Sequence, residues 1–266
     1  MRFRYNGNRL SETEPAPPGI QLYSVRKEFE SQPLQTLREL SSMGYKTVEF
    51  AGFYNIPAEI MNRYLQDAVL KAPSAHIPYE DLINDLHGQI NYAKVIGLQY
   101  IVIPWMDPSH LQNEARLHQL SKSLKEIAKN IIDAGLQLAY HNHLEEFERL
   151  PTGELIIDRL LDEVGNNMKL EIDLYWTYKA GFSLLEILEK YKGQVPLVHI
   201  KEMNEEGETT ELNHGVIDYR FVLKQLERFG VDYYFVEQEH FSRPPLESAK
   251  QNSDFIKKWR GRNRYK

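Results

Sequence analysis

An α/β fold, a single closed (β/α)8 barrel, is what this chain predicts, and three observations predict it. Strand-like and helix-like segments alternate eight times along 266 residues, a length that suits one barrel of about 250 residues. Successive strand starts lie roughly 26–38 residues apart, near the ~30 of a βαβ unit. Four of the apolar runs end in metal-capable groups: QLAYHNH (137–143), LEIDLYW (170–176), VPLVHIKEM (195–203) and YYFVEQEH (233–240). Strands ending in ligands at regular intervals are how a parallel barrel assembles a site on one rim.

Taken in order, a polar, Pro-rich leader over 1–18 precedes the barrel, which is expected to span 19–262. Strands are predicted near 19–24, 46–50, 72–77, 99–104, 137–141, 169–173, 196–200 and 233–237. Helical patterns lie between them at 33–44, 57–71, 79–97, 110–135, 153–164, 183–192, 218–229 and 246–260. Leu34, Leu37 and Leu40 recur at three-residue spacing, as on one face of an amphipathic helix. Gly44, Gly97, Gly135 and Gly230 each follow a helical run and precede a strand, the usual place of a helix-ending glycine. An open doubly wound sheet would use the same alternation. No GxGxxG follows the first strand, however, and no GxxxxGK[ST] occurs in the chain.

Composition narrows the function classes. The chain is 42% hydrophobic and 26% charged, ordinary for a globular protein, with a formal net charge of −6. No basic field favours a nucleic-acid backbone, and the short basic run KKWRGRNRYK (257–266) reads as the end of a last helix. Cysteine is absent, which removes disulfides, thiolate metal sites and cysteine nucleophiles. No run approaches the roughly 18 apolar residues of a membrane span, and the N-terminus lacks an apolar signal core. The expectation is a cytoplasmic protein, with room left for an exported form whose signal has been removed. Small molecules, neither nucleic acid nor membrane, are the expected partners, and a homo-oligomer is compatible with the sequence.

The candidate site starts from Asp173, which follows Leu170 and Ile172 at a strand end. A carboxylate there is costly unless it is paired, caps a helix or binds metal. The next helix is expected near Phe182–Ser183, too far away for Asp173 to cap. His199 lies 26 residues on, one βα unit away, and Glu237 lies 38 beyond that, with Glu239 as its rival. Lys201 follows His199 by two and points the same way by strand alternation, suited to a substrate oxygen. His141, Asn142, His143 and Glu146 crowd the end of the fifth strand. Glu146 is assigned to the metal and His143 to proton shuttling, with His141 as the alternative ligand or a substrate contact. Mixed carboxylate and imidazole donors suit a divalent ion such as Mn, Mg, Co or Zn. Gln21, Glu49, His76 and Trp105 end the earlier strands. Glu49, between Val48 and Phe50, has the apolar setting of an acid or base with a raised pKa. Tyr23, Phe53, Trp105, Tyr175 and Trp176 offer faces for a sugar ring.

Six blocks together resemble the sugar phosphate isomerase/epimerase family of xylose-isomerase-like TIM barrels, in its YHNH-type branch. They are GIQLYSVR (19–26), GYKTVEFAGF (44–53), YHNHLEEFE (140–148), EIDLYWTYKAG (171–181), VHIKEM (198–203) and VEQEHF (236–241). The resemblance implies divalent metal held by Glu, Asp, His and Glu, carried here onto Asp173, His199 and Glu237, with Glu146 in place of the first. Epimerase relatives have Glu where this chain has His141, and Leu144-Glu145 stands where the motif usually reads Asp-Phe. Related branches include ketose epimerases, inosose dehydratases, dehydroshikimate dehydratases and lyases of 3-keto sugars. All begin by removing a proton beside a polarised carbonyl.

The expected function is therefore a divalent-metal-dependent sugar or keto-sugar isomerase/epimerase working through an enediolate. Glu237 or His143 is the base, Glu49 a further acid/base, and Gln21, His76, Trp105, His141 and Lys201 contact substrate. The alternative is a lyase or dehydratase eliminating from an inosose or 3-keto sugar at the same site. A binding barrel without catalysis is a third reading. Endonuclease action is disfavoured, because the charge is negative and no cluster of several His and carboxylates suited to a three-metal phosphodiester site is evident.

Overall fold

The computed structural model describes residues 18–111 and 113–263; the first seventeen residues of the expected leader lie outside them. Among the described residues ten strands form in chain order: β1 (Pro18–Gln21), β2 (Thr47–Ala51), β3 (Lys71–His76), β4 (Tyr100–Ile103), β5 (Gln137–His141), β6 (Met168–Asp173), β7 (Leu197–Ile200), β8 (Glu202–Met203), β9 (Thr209–Thr210) and β10 (Tyr233–Val236). Eight of them close a parallel barrel in the order β1-β10-β7-β6-β5-β4-β3-β2, sealed by the pairing of β1 with β2. β8 and β9 make a small antiparallel hairpin just beyond β7.

Both faces of each barrel strand are buried, which is why these runs read as nearly unbroken apolar segments. Outward side chains such as Leu138, Tyr140, Leu170, Ile172, Val198 and Ile200 join the main core under the helices. The inward alternates Val102, Ala139, Leu197 and Phe235 form a separate small cluster that plugs the barrel, with Tyr100 and Tyr233 against it. Gly19 is required at this level: a Cβ there would lie 2.5 Å from the Phe235 ring and 2.6 Å from Thr47 Oγ1. Helices end where expected at Gly44 and Gly97, both in the left-handed region.

The structure departs from the sequence expectation in three places. The first strand stops at Gln21 instead of 24, because the Gln21 side-chain oxygen accepts from Tyr23 N and turns the chain into a 3-10 segment and the helix Arg26–Ser31. The helix expected over 218–229 divides into Tyr219–Leu223 and a 3-10 turn at Leu226–Phe229. A helix at Leu174–Lys179 follows β6 directly. It overturns the argument that Asp173 is too far from a helix to cap one: Asp173 Oδ1 accepts from Trp176 N at 3.1 Å.

Candidate metal and proton-transfer site

Strand register builds the site in cross-strand polar pairs. Asp173 lies opposite His199, His141 opposite Glu171, and Gln21 opposite Glu49, all turned into the barrel above the apolar plug. Four carboxylates, Glu49, Glu171, Asp173 and Glu237, are buried together with His76, His141, His199 and Lys201. A gathering of histidines and carboxylates on this scale is not evident in the sequence. His76 and Glu171 come from β3 and β6, and only barrel closure brings them together.

The cluster has two levels. In the deeper one, Glu171 Oε2 is the hub of three ring nitrogens: His76 Nε2 at 2.6 Å, His141 Nδ1 at 3.1 Å and His199 Nε2 at 3.3 Å. Glu49 Oε2 accepts from His199 Nε2 at 2.5 Å and from Gln21 Nε2 at 2.9 Å. In the outer level, His199 Nδ1 lies 2.7 Å from Glu237 Oε2. The Lys201 ammonium stands 3.0 Å from both Asp173 Oδ2 and Glu237 Oε2, and 2.9 Å from Glu239 Oε1. His141 Nε2 is 3.6 Å from Asp173 Oδ2.

These neighbours set the protonation directions. Burial alone would raise Glu237 and Glu171, but Lys201 and His199 outweigh it at Glu237, and His199 and His76 outweigh it at Glu171, so both fall well below the usual range. Glu49 rises, first through burial and then through repulsion by Glu171. At His199 the flanking carboxylates outweigh burial and raise the ring well above its ordinary value. His143 goes the other way, pushed down to about 3 by burial and by Lys201.

Asp173, His199 and Glu237 offer donor atoms within 4.8 Å of one another, a group able to hold a metal ion. Glu49 Oε1 and Glu171 Oε1 are buried without a hydrogen-bond partner, and Asp173 Oδ2 has only the Lys201 ammonium, 3.0 Å away, and the more distant His141 ring beside it. Orphaned oxygens amid mixed carboxylate and imidazole donors fit a divalent cation, since buried carboxylates are tolerable when a cation neutralises them.

Glu146 does not join this group. Its carboxylate accepts from Tyr140 O–H at 2.7 Å and from His143 N at 2.8 Å, outside the barrel wall, and belongs to neither set of candidate donors. The fifth-strand side chain that reaches the centre is His141. Asn142 is a strap, accepting from Asp173 N at 3.0 Å. Gln21 and Glu49 are buried beneath the cavity, and Gln238 bonds Asn252 and His240 O.

Above the cluster opens a cavity of about 390 Å³, lined by Tyr23, His76, Pro104, Trp105, His141, His143, Lys201, Glu237 and Glu239. His143 tilts against Trp176 with ring centres 5.3 Å apart. The β8–β9 hairpin braces this rim: Thr209 Oγ1 accepts from Glu239 N and His240 N, while Tyr175 O–H donates to Gly207 O. Of the residues expected to meet substrate, His76, Trp105, His141 and Lys201 line the cavity; Gln21 does not. Sequence reasoning missed Glu171, although a charged residue two before Asp173 in a buried strand marks the same face.

The family model described as xylose isomerase-like TIM barrel matches residues 37–259. Inosose dehydratase from Clostridium perfringens is 23% identical over 265 aligned residues, covering 84% of this chain and 88% of the relative. A sugar phosphate isomerase/epimerase from Parabacteroides distasonis superposes with a TM-score of 0.81 at 21% identity, covering 91% of this chain and 98% of that one. An L-ribulose 3-epimerase superposes with a TM-score of 0.73 at 15% identity, covering 94% and 96%. At these identities the structural likeness speaks to the fold.

Proposed function

This chain belongs to the xylose isomerase-like TIM barrel family, and from that premise we propose that it is a divalent-metal-dependent isomerase or epimerase of a sugar or keto-sugar. The observation that carries the reading is the convergence of Asp173, His199 and Glu237 beside Lys201, with Glu237 and Lys201 lining a cavity of about 390 Å³. That volume falls within the range of small-molecule pockets. These three residues would hold the ion, and a divalent cation there supplies Lewis-acid polarisation of a carbonyl oxygen.

The chain's own groups do the rest. Glu237, ionised and at the cavity wall, takes the proton from the carbon beside the carbonyl. Neutral His143, whose buried Nδ1 has no partner, orients a substrate hydroxyl by hydrogen bonding across the same space. Lys201, an ammonium throughout the working range, hydrogen-bonds the oxygen on which negative charge grows. Trp105 and Tyr23 present apolar faces to the ring carbons. The net charge of −6 supports a small carbohydrate over a polyanion.

A second reading, dehydration, is favoured by one observation: the curated relative that spans most of the chain is an inosose dehydratase. The first step is common to both. Proton exchange in D2O, followed by NMR with ketoses, inososes and 3-keto glucosides, tests it. Metal-dependent deuterium uptake beside the carbonyl, lost in Asp173→Ala, is the expected result, and the product distinguishes an epimer from an eliminated enone. No uptake across the panel with metal bound would sink both readings in favour of a binding role.

A further inference from the structure

Strand order divides the cavity into two unlike halves. In the closed barrel the exits of β5, β7 and β10 lie on one arc and supply His141, His143, Lys201, Glu237 and Glu239. The exits of β1 to β4 lie side by side on the opposite arc and supply Tyr23, Ala51, Gly52 and Trp105, with Asp81 the one carboxylate there. His76 also comes from this arc but is tied to Glu171 at 2.6 Å. All the acid–base chemistry of the proposed reaction is thus on the first arc.

The second arc has the chemistry of a platform for a ring. Trp105 is 49% exposed and Tyr23 41%, although both line the cavity. Tyr23 is held in place: the Arg26 guanidinium lies 4.1 Å from its ring centre, and Arg26 donates to Tyr23 O at 2.9 Å. Between the two aromatics the end of β2 is bare. Ala51 carries one methyl group, and a Cβ on Gly52 would meet nothing within 4 Å. Fixed aromatic faces beside open space suit the flat face of a ring, at little cost in side-chain entropy. There is room for it. A hexose has twelve heavy atoms, and bonded atoms each take well under the ~30 Å³ of a liquid water, so one hexose fills only part of the cavity of about 390 Å³.

Charge narrows the occupant further. Among the described residues that line the cavity, Lys201 is the one ammonium, and it already faces Asp173, Glu237 and Glu239 at 2.9 to 3.0 Å. Arg26 is stacked on Tyr23 and does not line the cavity. A phosphate on the platform would meet Asp81 with no cation to balance it. We propose that the substrate is a neutral glycoside. Its keto-sugar ring lies over Glu237 and Lys201, and a second ring, joined through the glycosidic oxygen, rests on Trp105 and Tyr23. The inference rests on the keto-sugar reading above and names its substrate class. A sugar in the second position gives Asp81 hydroxyls to accept from, whereas an aromatic group uses the two ring faces alone.

The test is titration calorimetry of the full chain with probes that lack the ketone. Methyl β-glucoside supplies one ring, cellobiose and phenyl β-glucoside supply two, and glucose 6-phosphate supplies the anion. A two-ring probe should bind roughly tenfold more tightly than methyl β-glucoside, and glucose 6-phosphate should gain nothing over it. Cellobiose in the lead assigns a sugar to the second position, and phenyl β-glucoside in the lead assigns an aromatic group. Trp105→Ala should remove most of the gain, leaving two-ring and one-ring probes within about threefold of each other in that variant, and Trp105→Phe should restore it. Ala51→Leu, which fills the bare end of β2, should weaken the two-ring probes roughly tenfold. Equal affinities, no binding of either two-ring probe, tighter binding of glucose 6-phosphate, or a gain that survives Trp105→Ala in folded protein would overturn the proposal. None of these probes turns over, so the outcome is independent of the deuterium exchange that decides the keto-sugar reading itself.

Discussion

Leu197 and His199, Phe235 and Glu237, and Ala139 and His141 are neighbours on the same inward face of the same strands, two residues apart. The first of each pair belongs to the apolar plug and the second to the charged cluster above it. The plug gains stability from every buried methylene. The cluster holds four buried carboxylates against one lysine and a set of imidazoles, an arrangement that costs desolvation and returns little to folding without a cation. The comparison teaches that one pleat supplies both the stability and the chemistry, and that substitutions at the two levels should separate cleanly.

The sharpest separation comes from Glu237→Gln. It removes the group that accepts the proton while keeping size and most hydrogen bonding. Deuterium exchange per folded molecule should fall roughly 10²–10⁴-fold. More than a tenth of the activity surviving would reassign the base, with His143 next in line. Phe235→Ala is the mirror experiment. It empties the plug and should cost about 3–5 kcal/mol in urea unfolding, leaving exchange per folded molecule within a few-fold. If activity fell as steeply as stability, the two levels would not be independent.

How much of this was legible in the sequence follows from the same pleat. Barrel, strand order and the inward set Asp173, His199 and Glu237 could be read because strand alternation and βα spacing are local. Whether Glu171 and His76 meet could not, since they lie 95 residues apart and touch only after closure. Asp173 looked incapable of capping because the short helix at Leu174–Lys179 carries no long amphipathic pattern. Its carboxylate serves both purposes, one oxygen on Trp176 N and the other facing the cluster.

Acid titration of the metal-free protein probes the charged level directly. Glu171 and Glu237 have folded pKa values well below their unfolded 4.5. Their contribution to stability is therefore complete above about pH 4.5 and is lost as pH falls through the folded values. The urea midpoint of chelated protein should decline on acidification below that point. Glu171→Gln should flatten the decline, while Phe235→Ala should lower the whole curve without changing its shape. A Glu171→Gln curve parallel to wild type would show that its three imidazole contacts do not govern acid stability.

The smallest expected effect is at Glu146, and it decides how the YHNH segment is read. The sequence assigns Glu146 to the metal, because a donor set of three carboxylates and one histidine calls for a carboxylate beside Asp173, His199 and Glu237. The turn after β5 carries it elsewhere, to Tyr140 O–H and the backbone N of His143. A glutamine there keeps one oxygen to accept from one of these donors. Glu146→Gln should thus cost only about 1–2 kcal/mol of stability and leave Co or Zn affinity unchanged within a factor of about three. His143 would lose part of its support, so slower exchange at unaltered metal affinity is the expected signature. If metal affinity dropped tenfold or more instead, the carboxylate would reach the ion after all.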